Sequence, residues 1–191
     1  MDTVHKQLPV IIFEKKENDK TILSSPYGIG GDDRCGIFMI LEIIKELRCS
    51  VLFTEDEEIG GIGANKFAKS KYVDELKVNY IMEFDRAHAN DAVFYYCDNP
   101  DFTKFITNGF YDEEYGSYSD IVDVAPALGV AAVNLSCGYY KAHTIEEYVV
   151  WEEMLASINQ AKKIIVQDVQ EPFEYIEAER IFDDYWGSGW G

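Results

Sequence analysis

From Cys35 to Leu47 the chain reads CGIFMILEIIKEL, a segment that is apolar nearly all the way round a helix. Such a helix cannot lie on a surface with one face in water, so other elements must cover it on several sides. Short apolar, β-branched runs elsewhere can supply that cover. Leu8–Lys15 and Thr21–Ser24 read as strands paired across the polar Lys16–Lys20 turn, and Ser50–Thr54, Tyr80–Phe84, Ala92–Cys97 and Val130–Leu135 read as further strands. Helices are expected over Ala64–Ser70, over Pro100–Thr107 and over His143–Ile165, where Tyr148, Trp151, Leu155 and Ile158 recur at helical spacing. This alternation predicts an α/β fold: a three-layer sandwich with a mixed, largely parallel central sheet flanked by helices.

A length of 191 residues suits one domain with a real core. Its acidic, aromatic tail, residues 167–191 with Phe173, Tyr175, Phe182 and Tyr185, is expected to pack back onto the rest. The net charge of −18 argues against nucleic acid as a partner, because phosphate contacts need clustered Lys and Arg. Nothing reaches the eighteen or so consecutive apolar residues of a membrane span, and Met1 to His5 opens with no basic stretch followed by an apolar one. Cys35, Cys49, Cys97 and Cys137 contain no C-x-x-C pair, which excludes a zinc ribbon or thioredoxin-type site, and each lies in or beside an apolar stretch, so reduced, buried cysteines in a cytoplasmic protein are expected. The acidic surplus has two readings: a solvated surface, or carboxylates gathered around divalent cations.

Position separates those readings. In open α/β sheets, sites form beyond the carboxyl ends of strands. Glu57 and Glu58 follow Ser50–Thr54, Asp85 follows Tyr80–Phe84, His143 follows Val130–Leu135 after a short loop, and Asp32 precedes the buried helix. Each alone has a plain account as a helix cap, a solvated loop acid or a solvent-facing histidine. Brought into one crevice, the carboxylates would repel one another unless a cation lay between them. Carboxylate oxygens with an imidazole suit zinc, and less specifically manganese or cobalt.

The segments GIGGDDRCG (28–36), LFTEDEEIGGIGA (52–64), MEFDR (82–86) and AHTIEEYV (142–149) resemble, in order, the metal-site motifs of the co-catalytic zinc exopeptidases. That superfamily includes peptidase T, bacterial leucyl aminopeptidases and glutamate carboxypeptidase. The resemblance implies two zinc sites, with Asp32 bridging the metals, Glu58 and His143 completing one site and Asp85 contributing to the other. Glu57 would be the general base. The family's His-x-Asp-[Thr/Ser]-Val motif aligns Asp2 with an orienting aspartate and places its histidine ligand in the position before Met1, so the second site is expected to be incomplete in this sequence. His5 would lie about 10 Å further along a strand, too far to substitute. Asp32, Glu58 and His143 alone still make a single-zinc site with an open position.

With 57 residues between Asp85 and His143, the resemblance implies a single catalytic domain over residues 1–191 without a lid or dimerisation insert. The implied activity is hydrolysis of a peptide or small amide at a free N-terminus. The Tyr111–Tyr118 loop could bind the α-amine or be a solvated turn, Phe110, Tyr111 and Tyr115 could line a side-chain pocket, and the Tyr139-Tyr140 loop could hold the oxyanion. Two alternatives stand beside this reading: a catalytically impaired descendant with a binding or structural role, and an N-acyl amino acid amidohydrolase. The oligomeric state is left open.

Overall fold

A computed structural model describes residues 4, 5 and 8–179 of the chain. Strands β1 (Phe13–Glu17) and β2 (Lys20–Ser24) form the expected antiparallel hairpin, with Phe13 opposite Ser24 and Glu17 opposite Lys20. Its turn is Asn18-Asp19, at φ 49° and 63°. Two successive positive φ values give a turn whose twist matches the strands, and Asn and Asp tolerate that conformation best among non-glycine residues. The first strand is shorter than expected: Leu8 and Val10 to Ile12 lie outside the ladder and are exposed.

Helix α1 (Gly31–Ile44) is the apolar segment of the sequence, and it buries Cys35, Gly36, Met39 and Ile43. Gly36 permits its closest contact, since a Cβ there would stand 1.8 Å from the Phe84 carbonyl oxygen. Helices α2 (Ile62–Ala68) and α3 (Tyr72–Glu75) follow, then strands β3 (Ile81–Arg86) and β4 (Asp91–Val93). Helix α4 (Pro100–Ile106) has Pro at its start and is capped by the Asn99 side chain, which accepts from the Phe102 N–H at 3.0 Å. Strand β5 (Asp112–Glu113), helix α5 (Ile121–Leu128), strands β6 (Ala132–Ser136), β7 (Tyr139–Tyr140) and β8 (Tyr148–Val150), and helix α6 (Trp151–Ile165) complete the described chain.

The strands make two sheets. One is antiparallel in the order β1-β2-β8-β7; the other, in the order β3-β6-β4-β5, pairs β3 with β6 and β4 with β5 in parallel, and β4 with β6 antiparallel. Side chains alternate across β6, which fixes the layers. Val133 and Leu135 face the main core with Met39 and Ile43 of α1, Phe102 of α4 and Met154 and Ile158 of α6. Ala132 points the other way, onto Ile121 and Ala125 of α5. The expected α/β sandwich, a mixed sheet flanked by helices, is what the chain adopts. The separate antiparallel sheet was not foreseen. Among the described residues no helix is long and apolar enough to cross a membrane.

Three expectations need correcting. Ser50–Thr54 joins no ladder, because no strand of the described chain lies alongside it; β-branched and aromatic residues favour strands only where a pleated neighbour exists. The helix expected from His143 begins only at Trp151, since Tyr148 to Val150 pair with β2 and β7 before it. Cys49 is exposed, whereas Cys35, Cys97 and Cys137 are buried, and all four are free thiols. Within the tail, Val130 bridges Glu174, Cys97 bridges Glu177, and Phe173 packs on the core; the tail from residue 180 on lies outside the described residues.

Candidate metal centre

Three loops at one end of the sheets aim polar groups at a common point. The first is the glycine-rich stretch before α1. Gly30 sits at φ 62°, ψ 48°, and Asp32, counted within α1, has a non-helical ψ of 111° that turns it away from the helix axis. The second follows Ser50–Thr54. There the Glu57 carbonyl accepts from the N–H groups of Gly60 (2.9 Å) and Gly61 (3.0 Å), a tight turn that ends at Gly61 with φ 61° and leads into α2. Glu58 lies inside that turn. The third is the β7–β8 loop, where His143 takes φ 64°.

These loops bring Asp32, Glu58 and His143 together. The His143 Nε2 lies 2.8 Å from Asp32 Oδ2 and 2.8 Å from Glu58 Oε1. One imidazole nitrogen carries one proton at most, so it cannot donate linearly to both carboxylates. A divalent cation meets the same three atoms as ligands, and all lie within 4.8 Å of one another. Tetrahedral zinc with bonds of about 2.0–2.2 Å needs ligand atoms about 3.3–3.6 Å apart, so the two 2.8 Å contacts of His143 would open slightly around it. The donor set therefore fits zinc.

The electrostatics show strain of charge. Burial pushes the Asp32 carboxyl up to about 6, and the Glu58 charge adds to the rise while His143 opposes it. Partial burial pulls the His143 imidazole down, but Asp32 and Glu58 outweigh it and its net shift is upward. A bound cation would reverse the first of these effects.

The remaining candidates behave differently. Asp85 stands apart from the trio. Its N–H donates to Asn134 Oδ1 at 2.9 Å, and its Oδ1 is buried with no hydrogen-bond partner among the described residues. Burial, followed by the charges of Glu83 and Asp32, raises its pKa well above the usual range. Glu57 is partly buried and lines the same cavity as Asp85 and Asp33. Asp2 lies outside the described residues. The Tyr139 hydroxyl donates to the Asp85 carbonyl at 3.1 Å and the Tyr140 hydroxyl to Glu153 at 2.6 Å. Tyr111 lines no pocket: it is 2 % exposed, and its hydroxyl meets Ser157 Oγ at 2.8 Å within the core.

Sequence reasoning assigned no role to Glu147, although it falls inside the quoted AHTIEEYV segment. Its side chain is wholly buried. It accepts from the Gly30 N–H at 2.6 Å and the Asp32 N–H at 3.1 Å, and His5 Nε2 lies 3.0 Å from it. Glu147 thus ties the loop that carries Asp32 to the loop that carries His143. The available signal was weak, a glutamate two residues before the apolar Val149-Val150 pair, and a buried carboxylate must find donors.

Comparison with known proteins follows this geometry. No protein-family profile and no curated protein matches the sequence. Solved structures do match. Aminopeptidase PepT from Bacillus cereus superposes with a TM-score of 0.64 at 14 % identity, over 81 % of this chain and 75 % of its own. A TET aminopeptidase from a marine-sediment thaumarchaeon gives 0.60 at 17 % identity, over 83 % of this chain. An aminopeptidase from Desulfurococcus kamchatkensis gives 0.59 at 18 % identity, also over 83 %. The chain has an aminopeptidase fold. Identities this low establish the fold alone. The chain spans about half the length of the archaeal aminopeptidases it matches, 52 % in both cases.

Proposed function

We propose that the chain is a catalytic unit of a metal-dependent exopeptidase, cleaving a peptide or related amide at a free N-terminus. The observation that carries this reading is the convergence of Asp32, Glu58 and His143 from three separate loops onto one point. In this reading they hold a zinc ion, with manganese or cobalt as substitutes, and Asp85 serves a second site beside them. Bound there, zinc supplies Lewis-acid polarisation of the scissile carbonyl and lowers the pKa of water towards neutrality. Glu57, next in sequence to Glu58, takes the proton of the attacking water and passes it to the leaving amine. Asp32 and Glu58 offset the positive charge of the metal, and the buried anchor Glu147 keeps Asp32 in place. A cytoplasmic location agrees with the free thiols.

Elemental mass spectrometry on untagged protein tests the metal reading. At least one zinc per chain is expected, lost in Asp32→Ala and His143→Ala. In parallel, Glu57→Ala should keep the zinc and lose release of N-terminal residues from short peptides by about 100-fold or more. No zinc uptake, even after zinc is added, would sink the reading, and so would undiminished turnover in Glu57→Ala.

A further inference from the structure

Strand β3 pairs with β6 on one side and ends its sheet on the other. In a parallel ladder alternate backbone groups point to either side, so a row of donors and acceptors on β3 faces outward. Opposite this edge runs Val51–Phe53, whose backbone makes no hydrogen bond to the backbone of any other described residue. The side chains there are apolar, yet the three residues are 40 %, 41 % and 44 % exposed. Between the two segments lies a cavity of about 930 Å³, with Arg48–Thr54 along one wall and Asn79–Asp85 along the other. Its remaining walls are helices: Ile37 and Ile40 of α1 on one face of the sheet, Val124 and Leu128 of α5 on the opposite face.

Two backbone edges that lack partners among the described residues, with two apolar helix faces, are the surroundings of a central strand in a three-layer sandwich. We propose that this cavity is a strand-binding slot that takes an extended, continuously apolar peptide segment, hydrogen-bonded to β3 on one side and to Val51–Phe53 on the other. A small apolar molecule would leave both backbone edges unpaired. The globular face of a second copy cannot enter a space walled on four sides. Burial on both faces requires a run of Val and Ile, not an alternating pattern. Nearly half of each matching archaeal aminopeptidase, and a quarter of the Bacillus cereus aminopeptidase, lies outside the part this chain covers.

The test is run in EDTA, so that peptide binding is read apart from any metal. The full chain is mixed with an end-capped peptide of seven valine and isoleucine residues, flanked by lysines for solubility, and hydrogen exchange is followed by mass spectrometry. Saturable protection of amides in Val51–Phe53 and in β3 is expected, with a rise in Tm. The same peptide N-methylated at alternate residues should give no protection. Because N–H groups alternate sides, one of Val51→Pro and Leu52→Pro should weaken binding about fivefold or more while the other has the smaller effect. Both positions are exposed, so both variants should fold. Three outcomes would overturn the proposal. They are no protection at saturating peptide, equal protection by the N-methylated peptide, and protection of these amides without peptide that grows with protein concentration, which would make a second copy the occupant.

Discussion

Replacing Glu147 by glutamine keeps the shape of the side chain and changes only what it can accept. In the favourable orientation the amide oxygen takes the place of Oε2 and keeps its contacts with the Gly30 N–H (2.6 Å) and His5 (3.0 Å). The amide NH₂ then faces the Asp32 N–H across 3.1 Å, donor against donor. Loss of one charge-assisted hydrogen bond costs about 1.5–3 kcal/mol, and the stranded buried donor adds to it, so about 3 kcal/mol is expected. For a chain of this size that lowers Tm by about 6–12 °C. The stranded donor belongs to Asp32 itself, so the ligand loop should loosen and zinc affinity should fall about 10- to 100-fold. Urea denaturation with an unchanged m-value gives the first quantity, and competition against a chromogenic chelator gives the second. A stability change under about 0.5 kcal/mol together with unaltered zinc affinity would refute the reasoning. A stability loss with unaltered affinity would leave Glu147 a structural anchor that does not tune the metal site.

Two further predictions concern the sheet beneath the site. Gly36→Ala sets a Cβ 1.8 Å from the Phe84 carbonyl oxygen, a backbone atom that cannot swing aside, and should destabilise the fold by about 3 kcal/mol in urea denaturation. Glu83, hydrogen-bonded by the Ser119 hydroxyl, has its pKa pushed up to about 8, chiefly by burial. The folded state thus holds this proton above the unfolded value of about 4.3, and stability should fall as pH rises between roughly 4.3 and 8. At 1.36 kcal/mol per pH unit the ceiling is about 5 kcal/mol, reduced by the partial exposure of the residue. Glu83→Gln should flatten that part of the pH–stability curve, and an unchanged slope would contradict it.

How far the sequence could be read depended on whether the information was local. The Asn18-Asp19 turn, the apolar round of α1 and the strands β3 and β6 each carry their signal within a few residues, and each was foreseen to within a few positions. That Asp32, Glu58 and His143 come together was foreseen from the order of their motifs, and the structure brings the three side chains to one point. Glu147 and Tyr111 were not, since what a buried polar group bonds to is decided by chain more than 40 residues away. Ser50–Thr54 is the instructive failure. Its composition correctly describes a strand interior, but a strand needs a ladder, and neither side of this segment has one in the described chain. The same segment that broke the expectation lines the slot beside β3. The discrepancy between pattern and structure is therefore informative: Val51–Phe53 keep the residues of a central strand while their backbone finds no backbone partner among the described residues, which points to a polypeptide that would pair with them.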